Sequence, residues 1–293
     1  MVGYNNIMTI TERQKAILNS VVGEYINSAQ PVSSQLLEKR YDFGICPATI
    51  RIEMQKLTDA GFIYQPHTSA GRVPTDKGYR FFVDKSLTRA EAEAMKTSFS
   101  SLPSPRKRGS VGGDEAAASS TKEEFSEFED DFGIKGLFDK EFENTIKFIQ
   151  SLTKNLALAS SALVSSYLSQ EKILWKEGWE GVFGEPEFKE KEQILNFTKF
   201  FKDFEESIEN LKINSEIKIY IGKENPFSRN RDFSIIISKC RLPEEEGILA
   251  ILGPKRMAYN KNIGLIKSLA EALLRREKSS YSSNTKLSEE LLM

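Results

Sequence analysis

The stretch from Pro47 to Asp84, PATIRIEMQKLTDAGFIYQPHTSAGRVPTDKGYRFFVD, decides the fold of the amino-terminal part. Apolar residues recur at helical spacing after Pro47 and Gly61 ends the pattern, which predicts a helix. Two short apolar segments, FIYQ and RVPT, flank the polar sequence PHTSAG and predict a β-hairpin. Thr75 then precedes a second helical pattern as its N-cap. The stretch therefore predicts a helix, a hairpin and another helix.

Two more helices are predicted upstream of this stretch. Thr11 and Gln14 have the spacing of a capping box and are followed by apolar residues at helical spacing. Ser33 or Ser34 caps a short second helix. Three helices followed by a hairpin are the elements of a winged helix-turn-helix, whose third helix enters the major groove of DNA. We place this domain at residues 8–88.

The outer face of the third helix supplies the candidate base readers. If Ile50, Met54 and Leu57 face the core, the positions that point away from it are Ala48, Ile52, Gln55 and Asp59, and Thr49 and Arg51 flank that outer face. We predict that DNA is contacted by the second helix start, this outer face and the hairpin tip, with Arg51 and Arg72 the strongest candidates. The predicted DNA-contacting residues are Ser33, Ser34, Ala48, Thr49, Arg51, Ile52, Gln55, Lys56, His67, Thr68, Ser69 and Arg72. The alternative is the solvated side of an ordinary amphipathic helix beside an ordinary hairpin turn.

The charge is unevenly distributed along a chain whose net charge is -1. Residues 1–90 contain 11 Lys and Arg against 8 Asp and Glu, whereas residues 91–145 contain 7 against 13. A mildly basic amino-terminal segment is compatible with contacts to phosphates, although such an excess is common.

The second half of the chain follows a linker. Residues 98–131 are rich in Ser, Gly, Pro and acidic residues, and we assign a flexible linker to 89–134. Helical periodicity predicts helices from about Phe138 to Leu174, from Lys189 to Leu211 and from Asn262 to Arg276. The runs EIKIYIG, FSIIISKCRL and GILAILG predict an antiparallel meander. We place a second α+β domain at 135–277 and a polar tail at 278–293.

No enzyme, metal site or membrane span is expected. His67 is the single histidine, and with Cys46 and Cys240 it cannot build a usual zinc site or an oriented catalytic triad. No phosphate-binding glycine motif follows a strand, so we expect no cofactor and no catalytic residue. The absence of a long apolar run or secretory signal, with two distant cysteines, predicts a cytoplasmic protein.

Two sets of motifs resemble the heat-inducible transcription repressor family HrcA. The first is ITERQKAILNSVVGEYINSAQPVSSQLL followed by PATIRIEMQKLTDAGFIYQPHTSAGRVPTDKGYRFFVD, nearly continuous from Ile10 to Asp84. The second comprises WEGVFGEPEF, IKIYIGKENPF and LAILGPKRMAYNKNIGLIKSLAEALL. The segment QPHTSAGRVPTDKGYRFFVD is highly specific to the family.

The resemblance implies properties that spacing does not show. It implies a homodimer that binds an inverted-repeat operator called CIRCE in double-stranded DNA ahead of chaperone genes, and that is kept active by the chaperonin GroEL. It also implies a GAF-like domain carrying a dimerising insertion, so the expected fold is a winged helix-turn-helix plus a truncated GAF-like domain with antiparallel sheet and long helices. We expect the helices at 140–174 and 189–211 to supply the dimer interface through their apolar faces.

This sequence departs from the family pattern in several places. Cys46 occupies a position where Ser usually caps the third helix, and Ile52 replaces a usual Asn. A long family segment is missing between about Ala159 and Trp175, whereas the Ser-rich and acidic stretch at 98–131 is additional. Two other functions therefore stay open: a ligand-gated repressor that uses the GAF-like domain as a small-molecule sensor, and a winged helix used for protein contact alone.

Overall fold

The computed structural model describes residues 10–99, 145–211, 213, 216–241, 246–270 and 273. Most of the predicted linker and the whole tail at 278–293 lie outside these residues. The described elements form an amino-terminal unit (10–99) and a carboxy-terminal unit (145–273). The first contains α1 (Glu12–Ser28), α2 (Ser34–Arg40), α3 (Pro47–Asp59), β1 (Ile63–Tyr64), β2 (Val73–Pro74) and α4 (Asp76–Phe99).

The carboxy-terminal unit has helices on both faces of a sheet. Its elements are α5 (Thr145–Ser160), β3 (Leu163–Leu168), β4 (Ile173–Glu177), α6 (Trp179–Phe183), α7 (Lys191–Ser207), β5 (Ile217–Ile221), β6 (Phe233–Arg241), β7 (Glu246–Pro254) and α8 over 259–270, with 3₁₀ turns at Pro186–Lys189, Ile208–Asn210 and Gly222–Glu224. The strands pair antiparallel in the order β4-β3-β7-β6-β5. Helices mixed with antiparallel strands confirm the α+β class.

The helix boundaries of the amino-terminal unit follow the predicted caps. Thr11 and Gln14 make a reciprocal capping box at α1, and Ser33 accepts a hydrogen bond from the Leu36 N–H at α2. Pro47 is the first residue of α3, and Gly61 follows the helix with a positive φ of 76°. Thr75 accepts from the Gly78 N–H at the start of α4. The local signals therefore mark the starts of all four helices and the end of α3. The far end of α4 continues through 89–99, beyond the predicted start of the linker.

Buried polar contacts fix α2 against α1. Glu24, on the inner side of α1, is almost completely buried. Its carboxylate accepts hydrogen bonds from the Arg40 guanidinium and, at 2.9 Å, from the Tyr41 hydroxyl. Because a buried carboxylate without such donors is strongly unfavourable, the end of α2 is held at one place on α1. This placement sets the path of the chain into α3.

The sheet separates two apolar layers because alternate residues of each strand point to opposite faces. One face packs against α7, whose buried side chains are Phe197, Phe200, Phe201 and Phe204. The other packs against α5 and α8 and is continuous with the core of the amino-terminal unit. The two units therefore share one apolar core, which limits their independent movement.

The predicted helix from Phe138 to Leu174 is wrong in its second half. α5 ends at Ser160, Ser161 adopts a positive φ of 51°, and β3 and β4 follow as a hairpin. All six residues of β3 are buried, because the strand has packed layers on both faces. Such a strand shows no alternation of apolar and polar residues, and periodicity alone cannot distinguish it from a buried helix. The final helix also begins earlier than predicted, at residue 259.

The expectation that these helices offer apolar faces to a second copy is also wrong. The apolar faces of α5 and α7 are buried against the sheet of the same chain. Leu158 of α5 and Leu195 of α7 remain exposed, as isolated side chains on the outer faces. No helix in the described parts of the chain is long and apolar enough to cross a membrane.

Candidate nucleic-acid interface

The two faces of α3 differ as the helical wheel predicts. Ile50, Met54 and Leu57 are buried in the core, which confirms the predicted inner face. Ile52 is 57% exposed. Most of the other predicted outer-face or DNA-contacting positions of α3 are also exposed, and Thr49 is half-buried; the exposed ones are Ala48, Arg51, Gln55, Lys56 and Asp59. A large apolar side chain held in solvent on a helix whose other large apolar residues are buried marks this face as available for a partner.

The start of α3 has a weak cap. Cys46 occupies the N-cap position and makes no side-chain capping hydrogen bond. Its thiol instead lies 3.4 Å from the Thr49 hydroxyl, which lowers the pKa of the thiol below its usual value. No side-chain oxygen caps the first helical turn, so its N–H groups remain suited to an anion such as a phosphate.

Arg72 lies at the root of the hairpin rather than at its tip. Its backbone pairs with Val32, with N···O distances of 2.9 and 2.8 Å in the two directions. Its guanidinium donates to the Thr58 hydroxyl at 3.1 Å and to the Gln55 side-chain oxygen at 2.9 Å. Gln55 in turn donates to Asp59. Two predicted contact residues, Arg72 and Gln55, are thus bonded to each other, and they fix the hairpin beside α3.

The hairpin tip is shaped by contacts within the loop. The Gln65 amide donates to the backbone oxygens of Thr68 and Ala70, at 2.8 and 2.9 Å. His67 and Ser69 lie 3.2 Å apart through the ring Nδ1 and the hydroxyl, and both are exposed. A polar tip with a fixed backbone is suited to contacts with a sugar-phosphate chain.

Gly71 permits the close approach of the hairpin to the chain before α2. A Cβ atom at this position would lie 2.5 Å from the backbone carbon and oxygen of Val32. No side chain fits at this distance, and backbone atoms cannot move aside cheaply. The glycine therefore lets the hairpin lie against the chain before α2, while Arg72 fixes it beside α3.

These three elements enclose a polar concavity with a volume of about 390 Å³. It is lined by six of the predicted residues, namely Ser33, Ser34, Arg51, Thr68, Ser69 and Arg72. Ser34 itself is buried, so its contribution is at the wall of the concavity. Lys56 is not part of it and lies 3.0 Å from Glu53, whose pKa is lowered mainly by that hydrogen bond.

Sequence reasoning missed Gln35, Thr58 and Gln65, which line or brace the same region. Gln35 and Gln65 are polar residues next to predicted contact positions, so the helix start and the hairpin tip were the available signals. Thr58 gave no signal, because its role depends on the Arg72 side chain turning back onto α3.

The family model and the curated relatives agree on one family. The model of the HrcA protein C-terminal domain matches residues 122–263. The heat-inducible transcription repressor HrcA of Natranaerobius thermophilus is 30% identical, over 91% of this chain and 96% of the relative. The chain belongs to the HrcA family. The HrcA repressor of Thermodesulfovibrio yellowstonii is 29% identical, over 91% of this chain and 97% of the relative.

Membership of the HrcA family confirms the resemblance and shows that the protein is a heat-inducible transcription repressor rather than an enzyme. A crystal structure described as that of a hypothetical protein has the same fold, with a TM-score of 0.63 and 18% identity, over 92% of this chain and 99% of the other. The alignment with the Natranaerobius repressor extends over 331 positions, more than the 293 residues of this chain. That relative therefore contains residues without a counterpart here.

Proposed function

We propose that residues 8–88 form a winged helix-turn-helix that represses chaperone genes by binding an inverted-repeat operator. The observation that carries the proposal is the exposed outer face of α3, with Ile52 in solvent and a polar hairpin fixed beside it. A helix of this kind fits the major groove, where Arg51 reaches base edges or phosphates. The hairpin tip follows the adjacent strand, and a thymine methyl is the natural partner of Ile52.

The repressor acts as a homodimer in this proposal, because an inverted repeat presents two equivalent half-sites to a two-fold protein. The carboxy-terminal unit, which we interpret as a truncated GAF-like domain over 135–277, holds the two copies together. Sedimentation at increasing concentration tests this part, and a monomer at every concentration contradicts it. We propose GroEL as the modulator, because the resemblance to the HrcA family implies that this chaperonin keeps the repressor active.

The proposal is tested by a binding titration with an inverted repeat taken from upstream of the host's own chaperone genes. Arg51→Ala is compared with Lys85→Ala, which removes the same charge from an exposed position on α4. We expect Arg51→Ala to cost about 1–3 kcal/mol of binding free energy and to flatten the salt dependence, because a phosphate or base contact is lost. Lys85→Ala should leave both unchanged.

Two outcomes of this titration separate the proposals, and one addition to it tests the modulator. Equal affinity of the parent protein for the inverted repeat and for a scrambled duplex would contradict operator recognition. Absence of any salt-dependent DNA binding would favour a winged helix used for protein contact. Addition of GroEL at two salt concentrations tests the modulator, which should raise the occupancy of the operator.

A ligand-gated repressor is the second candidate. A cleft of about 820 Å³ lies between the two units, lined by residues of both that include Tyr25, Tyr79, Lys223 and Lys255. This volume is within the range of small-molecule sites, and such a ligand would act on the position of the amino-terminal unit. A thermal-shift screen of metabolites, repeated with Lys223→Met, tests it. A ligand that stabilises the parent protein but not the variant would support this candidate.

A further inference from the structure

Three motifs of the carboxy-terminal unit converge on one side of the amino-terminal unit. These motifs are GEPEF, IGKEN and GPKRMAYN, and they lie in the loop before α7, after β5 and after β7. They contact the end of α1 and the first three turns of α4. We call this set of contacts the joint and define it by Ile26, Asp76, Arg80, Glu185, Glu187, Lys223, Glu224, Lys255 and Arg256.

Asp76, in the first turn of α4, is held from two directions. Its carboxylate accepts a hydrogen bond from the Lys223 N–H at 3.1 Å and from the Lys255 ammonium at 2.9 Å. The neighbouring Gly222 has a positive φ of 51°, and a Cβ atom there would lie 2.6 Å from the Asp76 Oδ2. The 3₁₀ turn at Gly222–Glu224 is therefore shaped to receive this helix start, since any side chain at Gly222 would fill the space that the carboxylate occupies.

Arg80, one turn further along α4, anchors the same turn from the other side. Its guanidinium donates to both oxygens of Glu224 and, at 2.7 Å, to the Ile219 backbone oxygen of β5, the edge strand of the sheet. Glu224 also accepts from the Ile221 N–H at 3.0 Å. A planar guanidinium that makes a bidentate pair and a third contact fixes direction as well as distance. The orientation of α4 against the sheet is therefore defined.

Arg256 holds the end of α1. Its guanidinium donates to the Ile26 backbone oxygen and to the carboxylates of Glu185 and Glu187, the latter at 2.7 and 3.1 Å. The last carbonyls of a helix have no partner within it and attract cations, yet α1 has no basic residue in its last turn. Arg256, only 9% exposed, supplies that cation from the other unit.

The joint leaves the candidate nucleic-acid interface uncovered. Its contacts use the end of α1 and the first turns of α4, whereas the outer face of α3 and the hairpin tip remain exposed. Two ion pairs and hydrogen bonds from guanidinium groups to backbone oxygens join the two units on this side, and together they restrict rotation about any single bond. An inverted repeat requires two recognition helices at a fixed spacing and angle. A fixed orientation of the amino-terminal unit on the carboxy-terminal unit would help to meet that requirement.

We propose that the joint is a positioning device that holds the amino-terminal unit in the orientation in which a dimer reads both halves of an inverted repeat. This inference rests on the operator binding proposed above. It assigns a positioning role to four residues, namely Asp76, Arg80, Lys255 and Arg256. These residues contact no DNA. They act on the affinity for paired half-sites through the spacing of the two α3 helices.

The first test combines Glu224→Gln with Lys255→Met, which removes one charge of each sign from the joint. The matched control combines Glu206→Gln with Lys202→Met, an exposed ion pair on α7 with an N···O distance of 3.7 Å. We expect the joint variant to bind the inverted repeat about tenfold more weakly, as when the competent orientation falls to a tenth of the molecules. Its affinity for a duplex with one half-site should match that of the parent protein and the control.

The second test measures the orientation without DNA. Spin labels are placed on the exposed Cys46 and on an introduced Glu192→Cys on α7, with excess unlabelled protein so that pairs lie within one chain. Cys240 is buried, and the label count per chain checks that it stays unmodified. The distance distribution should be narrow in the parent protein and the control and broad in the joint variant.

Several results would overturn the proposal. A narrow distribution in the joint variant, an unchanged or tighter affinity for the inverted repeat, or an equal loss on the single half-site each contradicts positioning. If the joint variant unfolds, Lys255→Met alone is the milder version, with the same expected pattern at a smaller amplitude. A parent protein without preference for the inverted repeat refutes operator binding and the joint's role in it, and broadening of the distances would then show a joint that serves another purpose.

Discussion

The amino-terminal unit has two polar sides that differ in what satisfies them. On the joint side, Asp76, Arg80 and Ile26 are bonded to residues more than a hundred positions away. On the α3 side, Arg72, Gln55 and Gln65 are bonded to residues of the same short region, and Ile52 has no cover. Polar groups that are bonded to distant parts of the same chain hold the fold together. A surface whose side chains are held in place by neighbours but remain exposed is suited to binding a ligand.

The largest expected effect is a difference in the free energy of unfolding between a substitution on the joint side and one on the α3 side. Tyr79 of α4 is buried, and its ring centroid lies 6.0 Å from that of Tyr259 in α8. Tyr79→Ala should lower the free energy of unfolding by about 3 kcal/mol or more, because it leaves a cavity between the units. Ile52→Ala, on the open side, should change it by less than about 0.5 kcal/mol. Denaturant titrations of both variants measure these values.

Tyr79→Phe serves as the control, since it keeps the ring and should behave like the parent protein. A loss for Ile52→Ala comparable to that for Tyr79→Ala would mean that the outer face of α3 is packed in solution. The two sides would then no longer differ.

The next expected effect concerns the position of the hairpin beside α3. Gly71→Ala forces the hairpin away from Val32, where a Cβ atom has only 2.5 Å, and should cost about 1–3 kcal/mol of stability. DNA affinity should fall with it, because the hairpin leaves its place beside α3. Gly23→Ala in α1, where nothing lies within 4 Å, is the control and should stabilise by about 0.5 kcal/mol or more. Full operator affinity in Gly71→Ala would show that the hairpin position is unimportant.

The features that could be predicted from the sequence are mostly on the α3 side and depend on neighbouring residues. The faces of α3 and the caps Thr11, Ser33 and Thr75 were predictable, because each depends on residues a few positions apart. The strand β3 was missed, because burial on both faces removes the alternation that identifies a strand.

The bonding of side chains across the fold was beyond sequence reasoning. Arg72 was expected at the hairpin tip, yet Gln55 and Thr58 draw its guanidinium back onto α3. The joint was visible only as strings shared with the HrcA family, since the pairing of Asp76 with Lys255 links positions 179 residues apart. Such contacts depend on the assembled fold rather than on local pattern.

A smaller expected effect tests whether Arg72 and Gln55 act together in DNA binding. Arg72→Ala, Gln55→Ala and the double variant form a cycle around the hydrogen bond of 2.9 Å between these side chains. We expect a coupling energy of about 1 kcal/mol in DNA binding, because either single substitution already breaks the bond between Arg72 and Gln55. Anisotropy titrations with the operator duplex give the three values. Additive losses would mean that each residue contacts DNA separately, as the sequence alone suggested.

The smallest effect lies at the start of α3. Cys46→Ser should raise the free energy of unfolding by about 0.5 kcal/mol, because a serine hydroxyl can accept the N–H bond that the thiol leaves unmade. The side-chain contact with Thr49 that now lowers the pKa of the thiol would be replaced by this cap. Denaturant unfolding measures the change, with Cys46→Ala as the control. A gain in stability from alanine equal to that from serine would attribute it to loss of the thiol, whereas a gain from serine alone would identify a missing cap. Operator affinity measured beside it shows whether the open helix start serves a phosphate, because a cap that consumes the N–H should then weaken binding as it stabilises the fold.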